Sequence, residues 1–215
     1  LALCLVIAYS FLVPLDRDPE MAAERADELM RISTEAKLPY YRANGLFLRA
    51  YVDSLLGDVE EGIEAMRSSD KAFIAIGVEA GRSERCLLLA EAYGRAGRAA
   101  EGLEVLAETL RYVEKSGEHK WESELLRLEG ELRLKADQPK SEAERSFLRA
   151  IDVARRQEAR ILELRATTSL ARLWKEQGKT REATKTLSDI YGWFTEGFDT
   201  PDLEDARGLL DELGT

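Results

Sequence analysis

AEAYGRAGRAAEGLEVL, residues 90–106, holds the logic of the fold in one stretch. Ala90 to Arg98 reads as the end of a helix entering a polar turn, where Gly97 suits the left-handed position that closes a helix. From Ala99 a second helix is expected, in which Gly102 and Leu106, four positions apart, share one face. A small residue in the first helix, a turn, and a small-then-large pair in the second together describe a helical hairpin.

The same sentence recurs. AYVDSLLGD (50–58), GELRLKADQ (130–138) and ARLWKEQGK (171–179) match residues 90–98, and their small residues Ala50, Ala90, Gly130 and Ala171 lie 40, 40 and 41 positions apart. VEEGIEAM, SEAERSFL and TREATKTL match AAEGLEVL on Gly62, Ala143 and Ala183, each followed four residues later by Met66, Phe147 or Leu187. Self-similarity at a fixed period of this size marks stacked helical units, since one amphipathic pair cannot bury its apolar stripe alone. No run alternates with the period of a strand. The expectation is an all-α right-handed solenoid of about five hairpins, at 1–37, 39–77, 79–117, 119–158 and 160–196, with a capping helix at 200–213. Start signals fit: Asp18-Pro19 puts proline at a first helical position, Ser141-x-x-Glu144 has the form of a capping box, and Thr200-Pro201 opens the last helix. Gly57, like Gly97, is expected in the left-handed conformation.

LALCLVIAYSFLVPL, the opening run, is shorter than a bilayer span and has neither a basic n-region nor a small-residue cleavage site. Ala8 lies 42 residues before Ala50, so the run falls into register as a first core helix. The chain does not begin with Met and is expected to be a piece of a longer protein. At the other end YGWFTEGFD (191–199) packs four aromatics into eight positions, and these are expected to help the last helix cover the end of the core.

Composition narrows the function. Of 215 residues, 45% are apolar and 33% charged, with 15 Gly and 5 Pro, the mix of a helical globular chain. A net charge of −10 opposes a general nucleic-acid surface, which needs clustered Lys and Arg. The locally basic VARRQEARILELRA (153–166) lacks interleaved aromatics and is broken by Glu158 and Glu163. Two cysteines, Cys4 and Cys86, both in apolar runs, predict buried thiols in a reducing cytoplasm.

Chemical motifs are weak. Gly178-Lys179-Thr180 lacks the glycine that a phosphate loop requires at position 173, where Leu stands, and helix precedes it. His119, the single imidazole, is set in the polar stretch SGEHKWESE (116–124) and reads as part of a surface loop. Glu60-Glu61 and Asp202/Glu204-Asp205 suit the positive end of a helix dipole. No catalytic, cofactor or metal residue is expected.

The repeats resemble tetratricopeptide repeats: a small residue in the first helix, an aromatic three later (Phe11, Tyr93, Trp174), then Gly or Ala early in the second. They depart in period, in Asp53 and Arg133 replacing that aromatic, and in the missing terminal proline. In that family the first-helix face lines a concave groove. Here the equivalent stripe reads Asn44, Phe47, Tyr51; Glu84, Leu87, Glu91; Glu124, Arg127, Glu131; Arg165, Thr168, Arg172. The candidate binding residues are therefore Asn44, Tyr51, Glu84, Glu91, Glu124, Arg127, Glu131, Arg165 and Arg172, facing a protein, a peptide or a neighbouring domain, with neither nucleic acid nor membrane.

SLARLWKEQGK (169–179) and YGWFTEGFDTPDL (191–203), with LLAEAYGRAGRAAEGL (88–103) and ELLRLEGELRL (124–134), are similar to the C-terminal region of bacterial signalling proteins. Those proteins join an adenylate/guanylate cyclase or winged-helix domain to an AAA-type ATPase and then to tetratricopeptide-like repeats. The resemblance implies a cytoplasmic, non-catalytic regulatory segment, with any cyclase or ATPase chemistry upstream. The competing reading is a sensor that holds a small-molecule inducer.

Overall fold

The computed structural model describes residues 19–214; the expected helix around Ala8 and the thiol of Cys4 lie outside the described residues. Among the described residues ten α-helices follow one another: α1 (Pro19–Glu35), α2 (Pro39–Leu56), α3 (Val59–Ala75), α4 (Arg82–Arg95), α5 (Ala99–Ser116), α6 (Glu122–Lys135), α7 (Lys140–Arg156), α8 (Arg160–Glu176), α9 (Thr180–Tyr191) and α10 (Pro201–Leu213). A 3-10 turn, His119–Trp121, precedes α6, and no strand occurs among the described residues. The chain divides into two compact units, the division falling within α5 between Val105 and Leu106. In the first unit α1 packs on α2, α2 on α3, and α4 on both α2 and α3. In the second, α6 packs on α7, α8 on α6, α7 and α9, and α10 on α8 and α9.

The register residues are the ones that the packing needs small. Ala50, Ala90, Gly130 and Ala171 are all buried, as are Gly62, Gly102, Ala143 and Ala183. Met66, Leu106, Phe147 and Leu187, one helical turn beyond the second set, are among the most deeply buried side chains. A Cβ added at Gly62 would sit 2.3 Å from the Ser54 Cβ of the partner helix, and one at Gly130 would sit 2.4 Å from the Phe147 ring. Both separations are well inside van der Waals contact, so the hairpins close only because those positions carry no side chain.

Three of the hairpin turns are also closed by the same hydrogen-bonded device. Arg98, Gln138 and Lys179 donate their backbone N–H to the carbonyls of Tyr93, Arg133 and Trp174, five residues back, at 2.9, 2.9 and 2.8 Å. This is the six-to-one bond of a Schellman motif. It places Gly97, Asp137 and Gly178 in the left-handed region, at φ 74°, 52° and 76°. Second helices also end on left-handed residues, Lys37, Gly77, Gly117 and Glu158, at φ 56°, 68°, 75° and 55°.

Several local expectations need correction. Gly57 has φ −139°, so α2 ends without a left-handed residue and closes on Gly57 N–H donating to Asp53 O. Ser141 forms no capping box: α7 already begins at Lys140, behind Pro139, and Glu144 instead accepts from the Trp174 indole at 2.9 Å. The effective cap is Asp58, which accepts from the N–H groups of Glu60 and Glu61 at 2.8 and 3.4 Å. Thr200 stands at the N-cap of α10, but its side chain makes no capping bond. Cys86, expected in the core, is only half-buried. Where the tetratricopeptide aromatic is absent, ion pairs take its place: Asp53 binds Arg49 at 2.9 Å, and Arg133 binds Glu129 and Glu142 at 3.0 and 2.7 Å.

At the C-terminal end, Leu203, Ala206, Leu209 and Leu210 of α10 join a buried cluster with Leu164, Ala171, Ala183, Leu187 and Ile190. Tyr191 and Phe194 pack partly against this cluster. Trp193 and Phe198 remain 57% and 40% exposed, so the covering is done by the helix and only half of the aromatic run.

Candidate functional site

In the first unit, α2 carries Asn44, Phe47 and Tyr51, and α4 carries Glu84, Leu87 and Glu91. Phe47, Tyr51 and Leu87 are buried, with Tyr51 only 1% exposed, while Asn44, Glu84 and Glu91 are half-buried. The structure joins Tyr51 to Glu91. The Tyr51 hydroxyl donates to Glu91 Oε2 at 3.0 Å, and Glu91 Oε1 accepts from Arg95 Nη1 at 3.0 Å. Arg95 then donates from Nη2 to Ser54 Oγ at 2.9 Å, and its guanidinium stands 5.0 Å from the Tyr51 ring. One carboxylate is thus fully engaged by a phenol and an arginine, and the stripe here is aromatic and apolar with a polar edge.

In the second unit every stripe residue except Thr168 is charged. Glu124, on the first turn of α6, is 5% exposed. Arg127, one turn on, donates to Glu124 Oε1 from Nε at 2.9 Å and from Nη2 at 2.6 Å. Its Nη1 reaches on to Glu131, and Ser169 of α8 donates to the same Glu131 Oε1 at 3.0 Å. Arg165 of α8 lies 3.6 Å from Glu124 Oε1 and donates from Nε to Asp202 of α10 at 2.8 Å. Arg172 pairs with Asp205, also from α10. The packing of α8 on both α6 and α10 brings these groups together.

Their electrostatics follow from burial opposed by charge. Burial pushes the Glu124 carboxyl up, but the Arg127 guanidinium, by charge and hydrogen bond, and then Arg165 outweigh it, holding Glu124 below the usual carboxylate range. Burial likewise works against the Arg165 cation, but Glu124 and Asp202 hold its pKa above the ordinary arginine value. Both groups are therefore charged at neutral pH.

Sequence reasoning found the stripe on α6 and α8 but missed its acids on α10 and its hydroxyl, Ser169. Asp202 and Asp205 suit the first turn of a helix by sequence, and each also neutralises a stripe arginine. Their three-residue spacing, one helix face, was the available signal.

The remaining motifs lie in turns and ion pairs. Gly178 is a helix-closing turn, and Lys179 pairs with Glu144 at 3.3 Å. His119 is exposed and bonds Glu122 at 2.8 Å. Glu60 pairs with Arg98 at 2.6 Å, and Arg155 and Arg160 both bind Glu163, at 2.7 and 2.8 Å. Among the described residues no three His, Cys, Asp or Glu side chains are grouped to share a metal ion, and no helix is long and apolar enough to cross a membrane.

No protein-family model matches this chain, and neither does any curated protein sequence. Solved structures do match. Nearly identical TPR-like repeats from a kinesin-light-chain-like protein of Podosopora anserina are 16% identical, with a TM-score of 0.58 over 99% of this chain and 95% of theirs. A single-residue variant of those repeats is 17% identical, with a TM-score of 0.61 over 89% of this chain and 92% of its own. At such identities the likeness speaks for the fold alone: this chain is built as a tetratricopeptide-like helical repeat.

Proposed function

We propose that this chain is a non-catalytic protein-interaction module in which the first-helix stripe receives an extended peptide or a neighbouring domain. The carrying observation is the contrast within the repeat. Positions that set the packing repeat as Ala or Gly, while the stripe positions between them change from aromatic to ionic. Packing alone imposes no such change on a repeated face, whereas recognition requires it. The similarity of SLARLWKEQGK and YGWFTEGFDTPDL to bacterial cyclase–ATPase and winged-helix–ATPase proteins supports a regulatory setting, in which the segment controls an effector elsewhere in a longer polypeptide.

The test is selection of random dodecapeptides, displayed on phage, against the purified chain. A convergent set whose binding weakens when Arg172 is replaced by Glu is expected. Failure of any set to converge, together with a metabolite that raises the melting temperature as a native-state ligand must, would replace the interaction reading with that of an inducer sensor.

A further inference from the structure

We propose that Glu124 is the receptor for one positively charged side chain, lysine or arginine, of the peptide that lies along the stripe of the second unit. The inference rests on the interaction reading above and assigns a chemistry to its partner.

Three observations converge on Glu124. Its Oε2 is buried and has no hydrogen-bond partner, although the residue is only 5% exposed. All the guanidinium contacts fall on the other oxygen: Arg127 at 2.9 and 2.6 Å, and Arg165 at 3.6 Å. A desolvated carboxylate oxygen lacking a donor is unfavourable, and a cationic N–H group is the partner that relieves it most.

Charge balance gives the sign. Glu124, Glu131 and Asp202 face Arg127 and Arg165, three carboxylates against two guanidiniums. These five groups together carry a net negative charge, which an arriving cation offsets. An acidic side chain would deepen that imbalance, and a neutral one would leave it.

The geometry also supplies an entry. Arg127 is tied to Glu124 and Glu131 and is mostly buried, so it is a fixed wall. Arg165 is different. At 3.6 Å from Glu124 it is too distant for a hydrogen bond, while Asp202 holds it at 2.8 Å and a third of its side chain is exposed. Arg165 can yield its place beside Glu124 while keeping Asp202, and the arriving ammonium or guanidinium takes over that place and the vacant oxygen. Arg165 is thus a competitor for Glu124 that a ligand displaces.

The experiment compares the random dodecapeptide selection on three proteins: wild type, Glu124→Gln and Arg165→Gln. Wild type is expected to enrich Lys or Arg at one fixed position. A peptide so selected should bind Glu124→Gln about tenfold or more weakly, the scale of a lost charge-assisted hydrogen bond. The same peptide should bind Arg165→Gln more tightly, by about threefold, because the competing guanidinium is gone. If circular dichroism shows Glu124→Gln to be unfolded, the Arg165→Gln arm decides alone. Convergent peptides without a basic residue, equal affinity for Glu124→Gln, or weaker binding to Arg165→Gln would each overturn the inference while leaving the interaction reading intact. Absence of any convergent peptide would remove the interaction reading itself, and the inference with it.

Discussion

The stripes of the two units occupy the same register and solve it with different chemistry. In the first, Tyr51 and Phe47 are buried and a single carboxylate, Glu91, is shared between a phenol and Arg95. In the second, Glu124 is buried instead, and its neighbours are Arg127 and Arg165. One unit has put an aromatic ring where the other has put an ion network. The difference teaches that hairpin packing constrains the small residues and leaves the stripe free, because a buried aromatic and a compensated buried charge both satisfy a half-enclosed helix face. They do not fail alike. An aromatic carries its stability as buried area, whereas a buried ion pair punishes the loss of either member by leaving the other uncompensated.

The strongest way to break the comparison is to attack what the units share. Ala90→Trp in the first unit and Ala171→Trp in the second should each lower stability by about 3 kcal/mol, the upper end of the roughly 1–3 kcal/mol that overpacking costs, because both sites are fully enclosed. All three tryptophans, Trp121, Trp174 and Trp193, lie in the second unit, so wild-type indole fluorescence reports that unit's unfolding and circular dichroism reports both. An unchanged thermal midpoint in both mutants would sink the packing model.

The next test separates the units. Glu124→Ala should cost about 2 kcal/mol, because it removes two charge-assisted hydrogen bonds from Arg127 and a neighbouring charge from Arg165, which keep only Glu131 and Asp202. Glu91→Ala should cost about 1 kcal/mol, the scale of ordinary hydrogen bonds. Urea unfolding followed by fluorescence for the first and by circular dichroism for the second gives the comparison, and equal costs would erase the distinction. The pH dependence sharpens it. Glu124 is held below the usual carboxylate range, so its stabilisation is fully present above the unfolded carboxyl value and is lost as pH falls through the lower folded value. The fluorescence midpoint should fall more steeply with acid in wild type than in Glu124→Gln.

The smallest effect concerns the turns. Glu158→Gly and Lys37→Gly should each stabilise by about 0.5–1 kcal/mol, because both residues hold a left-handed conformation that favours glycine. A loss of stability would show that their side chains contribute more to the turn than its backbone strain costs.

How much of this was legible beforehand follows from where each signal is stored. The packing register was readable because Ala50, Ala90, Gly130 and Ala171 are small for one steric reason repeated along the chain. Two of the second-helix turns were not, since Lys37 and Glu158 adopt left-handed geometry without the glycine that advertises it. The stripe was visible as positions but not as a network: nothing local to Arg165 or Arg172 says that α10 will bring Asp202 and Asp205 to them. Trp193 and Phe198 misled for the opposite reason, because large aromatics predict burial on average and the turn leaves these two outside.

The left-handed residues also date an irregularity in the repeat. Lys37, Gly77 and Gly117 are 40 residues apart, as are Gly97 and Asp137, whereas Gly117 to Glu158 and Asp137 to Gly178 are both 41. Gly102 to Ala143 is likewise 41, yet Ala143 to Ala183 returns to 40. All these intervals agree with a single added residue, placed after Asp137 and before Ala143, at the turn that carries Gln138 and Pro139. Had the extra residue entered a helix, it would have rotated everything beyond it by about 100° and turned the small positions away from their partners. In a turn it moved nothing that packing depends on, so the chain still displays the insertion its architecture could tolerate.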